Sequence, residues 1–426
     1  MTALILAALL AADARWTVDA AKALEPELTA QYQALHRAPE LSFLETKTAE
    51  LMAKKLVALG FKVSTGVGKT GVVGVLKNGD GPTVLIRTDM DALPIEEKTG
   101  LPYASKVTQK DATGTTQPVM HACGHDVHMC AWLGALSLLT REKARWKGTI
   151  VAIAQPAEEK GLGARAMLAD GLFTKFPRPD AAIALHVTQE MASGQVAIVP
   201  GFAFANVDSV DLTVHGKGGH GAMPHLAVDP IVIASRIVLT LQTLVSRENA
   251  PDTPAVVTVG SIHGGTKHNI IPDQVKLQLT VRSYTEAVRK RLLDGIARIA
   301  RAEAEAAGAP KAPELVVSES LGAAYNDPEL SAKLTAALER ALGKERLGKR
   351  NPIMGAEDFG EYARAGTRGV MLWLGTAPQA AFDEAAKKGE TLPGAHSPFY
   401  APEPKTAIPA GAAALAACAL EILAAP

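Results

Sequence analysis

The 426-residue chain has no excess of either charge: 44 lysines and arginines face 44 aspartates and glutamates. A neutral chain, here without any basic run interleaved with aromatics, has no general attraction for nucleic acid or an anionic membrane surface. Neither is expected as a partner. Cysteine is also scarce, and three cysteines, Cys123, Cys130 and Cys418, cannot make a disulfide framework. Cys130 and Cys418 lie among apolar residues and read as buried core thiols. Internal repeats and low-complexity tracts are missing. The apolar run Ala3 to Ala12 is about ten residues long, against the roughly 20 a membrane-spanning helix needs, and no membrane span is expected. The run fits a signal-peptide core, with Ala12-Asp13-Ala14 as a small-x-small cleavage site, although no Lys or Arg precedes Arg15. Residues 1–14 are accordingly read as a signal peptide of a periplasmic or secreted protein. The alternative is an ordinary apolar first helix in a cytoplasmic one.

What is present is globular: 47% of residues are apolar and 21% charged. The length suits two domains of about 100–200 residues each. From Glu25 to Gly60 apolar residues recur at helical spacing, with a break at Pro39. Strand-like runs (Gly71 to Leu76, Thr83 to Arg87, Thr149 to Ala154, Ala181 to Leu185) then alternate with helical stretches such as Ala131 to Thr140. This predicts an α/β sheet covered by helices. After Gly201 the pattern changes. Val207 to Val214, Val256 to Ile262 and Val275 to Tyr284 alternate like half-buried strands, while Pro230 to Ser246 and Glu286 to Ala307 are helical. A small antiparallel sheet with two helices on one face follows. Gly308 to Pro313 reads as its exit linker, and α/β character resumes with a helix over Asp327 to Leu342 and a strand over Val370 to Leu374. The expected organisation is one α/β domain (15–204 and 314–426) interrupted by an inserted α+β domain (205–313).

The chemistry gathers at strand ends and loops. His121, Cys123, His125 and His128 fall within Met120–Met129, and imidazole and thiolate are preferred ligands of zinc and similar metals. His121 and His125, four apart, would share a face of a helix, but Gly124 between them argues for a loop entering a helix near Asp126. In an extended loop Cys123 and His125 project the same way, which favours that pair as ligands. Glu158 and Glu159 follow the apolar strand that ends at Gln155. Adjacent carboxylates repel and diverge, so one on a metal and one on a water is the natural division; alone, such a pair is usually a solvated turn. Asp89 and Asp91 end another strand, His186 a third, and His396 lies in a Gly/Pro loop. Several such ends in one α/β chain build a site at the carboxyl edge of the sheet. There a carboxylate base would deprotonate a water whose pKa two divalent ions bring toward about 7, and then protonate a leaving amine.

These segments together resemble the aminoacylase/carboxypeptidase family of metallopeptidases, in the branch that holds hippurate hydrolases, N-acyl-amino-acid amidohydrolases and indole-acetyl-amino-acid hydrolases. The resemblance rests on His36–Ser42, Arg87–Pro94, the histidine block, Gln155–Glu159, Leu185–Val187, Gly219–His225, His268–Pro272, Gly355–Phe359 and His396–Pro398. It implies a di-metal hydrolase domain with an inserted lid and dimerisation domain. It also implies hydrolysis of the amide bond of a small N-acyl or N-aroyl amino acid, with cleavage of dipeptides or carboxypeptidase substrates as the alternative. By the resemblance Cys123, His125, Glu159, His186 and His396 hold two divalent ions (zinc, manganese, cobalt or nickel). Glu158 is the base and Asp91 supports the metal site. His220 donates to the oxyanion, from the partner subunit in dimeric relatives, and a homodimer is expected. Asn269 lies in a lid motif that contacts substrate, and Arg282 binds the substrate carboxylate, for which an Arg fork is suited. Taken singly, Arg282 reads as a strand-face charge and His220 as a turn histidine. Ala38 stands where relatives often have His, and a proline common after the Leu-His-Val segment is missing around Gln189. Both departures bear on substrate choice. The resemblance begins at about Glu25, beyond the shorter leaders typical of cytoplasmic relatives, which favours export.

Overall fold

The computed structural model describes residues 15–423. The apolar run and cleavage site assigned to a signal peptide lie outside the described residues. The chain divides into two compact units. One takes in the chain up to Gly201, Tyr325–Asn351 and the residues from Asp358 onward; the other takes in Phe202–Ala324 and Pro352–Glu357.

The strands that matter are, in chain order, β1 (Lys62–Val67), β2 (Gly71–Asn78), β3 (Thr83–Asp89), β4 (Gly148–Gln155), β5 (Ala181–Ala192), β6 (Val196–Ile198), β7 (Asn206–His215), β8 (Ala255–Gly264), β9 (Gln274–Ser283), β10 (Glu314–Leu321) and β11 (Arg368–Ala377). The larger unit holds a seven-stranded sheet in the order β1-β2-β4-β3-β5-β11-β6. Its four central strands are parallel, in register Val84↔Ile150, Val84↔Ala181 and His186↔Trp373. Their carboxyl ends therefore share one edge. Every residue of β4 is buried, as expected of a parallel strand covered on both faces.

Two helices fix that edge. Helix α1 (His125–Arg141) crosses β3, where the Trp132 indole N–H donates to Ile86 O at 2.9 Å. Helix α2 (Pro404–Leu423) packs on α1 along a seam of small residues. A Cβ added at Gly134 would sit 2.7 Å from Ala412 Cβ, and one at Gly411 3.0 Å from Ala131 Cβ. Glycine permits this approach. α2 is long and apolar enough to cross a bilayer by length and composition, but most of it is buried within this unit.

The smaller unit carries an antiparallel sheet in the order β8-β9-β7-β10, with the helices Pro230–Ser246 and Glu286–Ala306 packed against it. Along β7, Asp208, Val210, Leu212 and Val214 are buried and their neighbours half-exposed, as the alternation predicts. The buried face meets Ile233, Ile237, Leu241, Leu292 and Ile296. Asp229 and Thr285 cap the two helices, accepting from Ile231 N–H and Val288 N–H.

The boundary after residue 313 differs from the sequence reading. β10 is paired with β7 (Leu212↔Leu315, Val210↔Val317), so Gly308–Pro313 is a loop inside this unit and not its exit. β10 is an edge strand with mostly exposed side chains, so it lacks the alternation that marked its neighbours.

Candidate active site

The histidine block does not form one continuous helix. Gly124 adopts a left-handed φ of 77°, and α1 starts at His125, so Cys123 stays in the preceding turn. The His125 Nδ1–H donates to Asp91 O at 2.8 Å, and the His186 Nδ1–H donates to Val187 O at 2.8 Å. A carbonyl cannot donate, so in the neutral form of each ring Nε2 is the lone-pair nitrogen, the state a metal requires. Burial also holds His186 well below the usual histidine range. Its Nε2 lies 3.5 Å from Cys123 Sγ.

The glutamate turn is held from behind. Asp91 is buried, and its carboxylate accepts from Glu158 N–H (3.1 Å), Glu159 N–H (3.0 Å) and the Ser42 hydroxyl (2.7 Å). Ligand atoms of Cys123, His125 and Glu159 all lie within 4.8 Å of one another. The other oxygen of Glu159 stands 3.3 Å from His396 Nε2. His396 has a left-handed φ of 68°, and its N–H is tied to Ala122 O at 2.8 Å, beside Cys123. The larger unit thus gathers Cys123, His125, Glu159, His186 and His396. Glu158 Oε2 lies 3.8 Å from His125 Nε2.

The donor set fits a cation. His125 Nε2 and Glu159 Oε1 are buried with no hydrogen-bond partner, which is costly unless something else satisfies them. Burial opposes charging His125, yet Asp89, Asp91 and Glu159 together bring its pKa up to about 10. The surrounding carboxylates thus draw a positive charge, which a divalent ion would supply.

Of the remaining histidines in the block, His128 is already engaged. The His128 Nδ1–H donates to Asp89 Oδ1 (2.7 Å) and its Nε2 accepts from Val187 N–H (3.0 Å), leaving no nitrogen for a metal. Neither ring nitrogen of His121 has a hydrogen-bond partner, and burial lowers its pKa to about 4, so the ring is neutral. Behind Asp89, the Arg87 guanidinium is wholly buried. It pairs with Asp89 (2.5 Å) and Asp358 (3.1 Å) and donates to Gln155 Oε1 (3.0 Å). Ser42, Arg87 and Gln155 stood in the sequence blocks above without a role; adjacency to Asp89 and to Glu158 was the available signal for Arg87 and Gln155, and Ser42, 49 residues from the Asp91 it serves, carried none.

The other sequence-selected residues lie on the smaller unit. His220 and Asn269 are exposed and neighbours there, joined by Gly221 N–H donating to Asn269 O at 2.9 Å. Ala222 N–H donates to His220 Nδ1 at 3.0 Å, so in the neutral ring Nε2 carries the proton. Arg282 is half-buried on β9, where it donates to Met354 O (2.8 Å) and Thr280 Oγ1 (3.2 Å).

A parallel sheet that delivers thiolate, imidazole and carboxylate to one buried edge, with a second carboxylate beside them, defines a metal-dependent hydrolase. The model of peptidase family M20/M25/M40 matches residues 85–420, and the chain belongs to that family. It is 36% identical over 376 residues to thermostable carboxypeptidase 1 of Saccharolobus solfataricus, covering 87% of this chain and 89% of the relative. It is 37% identical over 335 residues to hippurate hydrolase of Campylobacter jejuni, covering 76% and 82%. A solved Bacillus subtilis dinuclear metal-binding peptidase of the M20 family superimposes with a TM-score of 0.77 at 30% identity, covering 94% of this chain and 99% of that one.

Proposed function

We propose that the protein hydrolyses the amide bond of N-acyl or N-aroyl amino acids, with two divalent ions held by Cys123, His125, Glu159, His186 and His396. The observation that carries this reading is the turn in which Asp91 holds the backbone of both Glu158 and Glu159, one beside His125 and the other against His396. When bound, the ions supply Lewis acidity for the scissile carbonyl and for water. Glu158 accepts the proton of the attacking water and returns it to the leaving amine nitrogen. Asp91 fixes the turn and, through its carbonyl, the tautomer of His125. The Nε2–H of His220 is the donor proposed for the oxyanion. Arg282 is proposed for the substrate carboxylate and Asn269 for a further substrate contact.

The likeness to hippurate hydrolase supports the N-acyl amino acid, while the likeness to a carboxypeptidase supports the second reading, peptide cleavage. A homodimer is proposed as well. β8 is an edge strand, and Ile262 on it and Leu239 on the helix Pro230–Ser246 are 49% and 73% exposed, as a self-pairing face requires. The test is an activity panel with added zinc, manganese or cobalt, setting hippurate and N-acetyl amino acids against dipeptides. Turnover of the first group supports the proposal and preference for the second replaces it. No turnover of either sinks the enzymatic reading.

A further inference from the structure

The proposed base and its neighbouring ligand sit on a turn that the chain does not favour. Ala157, the residue before Glu158, has a left-handed φ of 49°. For a residue with a Cβ this conformation is uphill and must be imposed by its surroundings. The imposing groups are visible. Three consecutive backbone N–H groups, of Ala157, Glu158 and Glu159, each donate to a buried carboxylate oxygen. Asp91 takes the second and third. Glu45 takes the first, with its Oε1 2.9 Å from Ala157 N.

Glu45 lies 112 residues earlier, at the start of the helix Thr46–Ala58, and is wholly buried. It is itself anchored. The same Oε1 accepts from Phe43 N–H at 2.9 Å, and Oε2 accepts from the Thr70 hydroxyl at 2.6 Å. Phe43 itself and Lys69, the neighbour of Thr70, also have left-handed φ values of 64° and 81°. The Lys69 ammonium lies 3.8 Å from the centroid of the Phe43 ring. Two strained loops are thus locked onto one carboxyl group, which also holds the Ala157 amide. Among the described residues, the Glu45 carboxyl makes no hydrogen bond to a proposed metal ligand.

We propose that Glu45 is a positioning residue for the base: by accepting from Ala157 N–H it holds the left-handed turn that aims Glu158. The inference rests on the reading of Glu158 as the base. Because the work is done by an accepting oxygen, Gln in its place can do it too, with Thr70 reversing its hydrogen bond. The position of the group supports this, since burial and the Asp91 charge push the Glu45 carboxyl up to about 7.

The test compares Glu45→Ala, Glu45→Gln and Thr70→Val with wild type, on whichever substrate of the panel the wild type cleaves best. Glu45→Ala is expected to lower kcat by about 10- to 100-fold, the worth of a lost hydrogen bond to a buried amide. KM and zinc content per chain should stay at wild-type values. Glu45→Gln should keep kcat within about threefold, and Thr70→Val should show a smaller fall with the same split. Wild-type kcat in Glu45→Ala overturns the proposal, as does an equal fall in Glu45→Gln. So does zinc lost in step with activity, which would place the effect on Glu159. Where Glu45→Ala does not fold, an unchanged kcat in Thr70→Val overturns it. Should the wild type cleave nothing, the failure belongs to the functional reading. Hydrogen exchange of the Ala157 amide then decides: faster by about tenfold or more in Glu45→Ala and unchanged in Glu45→Gln supports the clamp, and equal protection in all three overturns it.

Discussion

Replacing Gly124 by alanine should damage the fold and the metal site together. The residue separates Cys123 from His125 at a φ of 77°, where an L-residue costs about 1–2 kcal/mol. The new methyl would also lie 2.6 Å from Val187 Cγ2 and 3.0 Å from the Tyr400 hydroxyl. Val187 is poorly able to retreat. Its N–H donates to His128 and its carbonyl accepts from His186, so moving it disturbs the orientation of both rings. Overpacking of this kind costs about 1–3 kcal/mol. The two contributions together predict a loss of about 2–5 kcal/mol. Urea unfolding of chelator-treated protein measures that loss without the metals. A zinc titration of the refolded variant should show affinity weakened by about 10- to 100-fold, the usual consequence of disturbing the groups that orient metal ligands. A variant with the wild-type urea midpoint and wild-type zinc affinity would refute the reasoning.

Further outcomes follow from single contacts. Arg289 makes two 2.7 Å hydrogen bonds to the fully buried Asp208, so Arg289→Ala leaves that carboxylate unpaired. It should cost about 3 kcal/mol in urea unfolding; a shift below about 1 kcal/mol would mean the pair behaves as a surface one. Burial opposes the charge on His36, but hydrogen bonds to Asp126 and Glu97 raise its pKa from 6.5 to about 9. A folded value above the unfolded one means that its stabilisation is complete below pH 6.5 and is lost as the pH rises through about 9. Metal-free wild type should therefore lose thermal stability relative to His36→Gln across that window, and parallel pH profiles would remove the assignment. Cys123→Ala should lower metal content per chain by elemental analysis, and unchanged occupancy would exclude the thiolate as a ligand.

The reach of the sequence can be traced residue by residue. Period-two alternation located β7 and its buried Val210 and Leu212, because one face of that sheet is covered and the other is open. Gly124 made the Cys123–His125 turn legible, since a helix interior disfavours glycine. Edge strand β10 was not legible, because its exposed side chains carry no pattern. Asp89 and Asp91 looked equivalent as strand-end carboxylates. The family resemblance singled out Asp91 alone, and packing gives the physical reason: Asp89 is spoken for by Arg87 and His128, while Asp91 faces the amides of the glutamate turn. The Arg87–Asp358 pair spans 271 residues and the Glu45–Ala157 contact 112. No local period encodes such contacts, and burial alone creates the need for them.

The most direct measurement is made on Glu158→Gln. The variant should keep two metal ions per chain by elemental analysis and lose about 10²- to 10⁴-fold in kcat on the best N-acyl amino acid, the usual worth of a general base. Wild-type turnover in this variant, or loss of both ions along with activity, would contradict the assignment of Glu158 as the base.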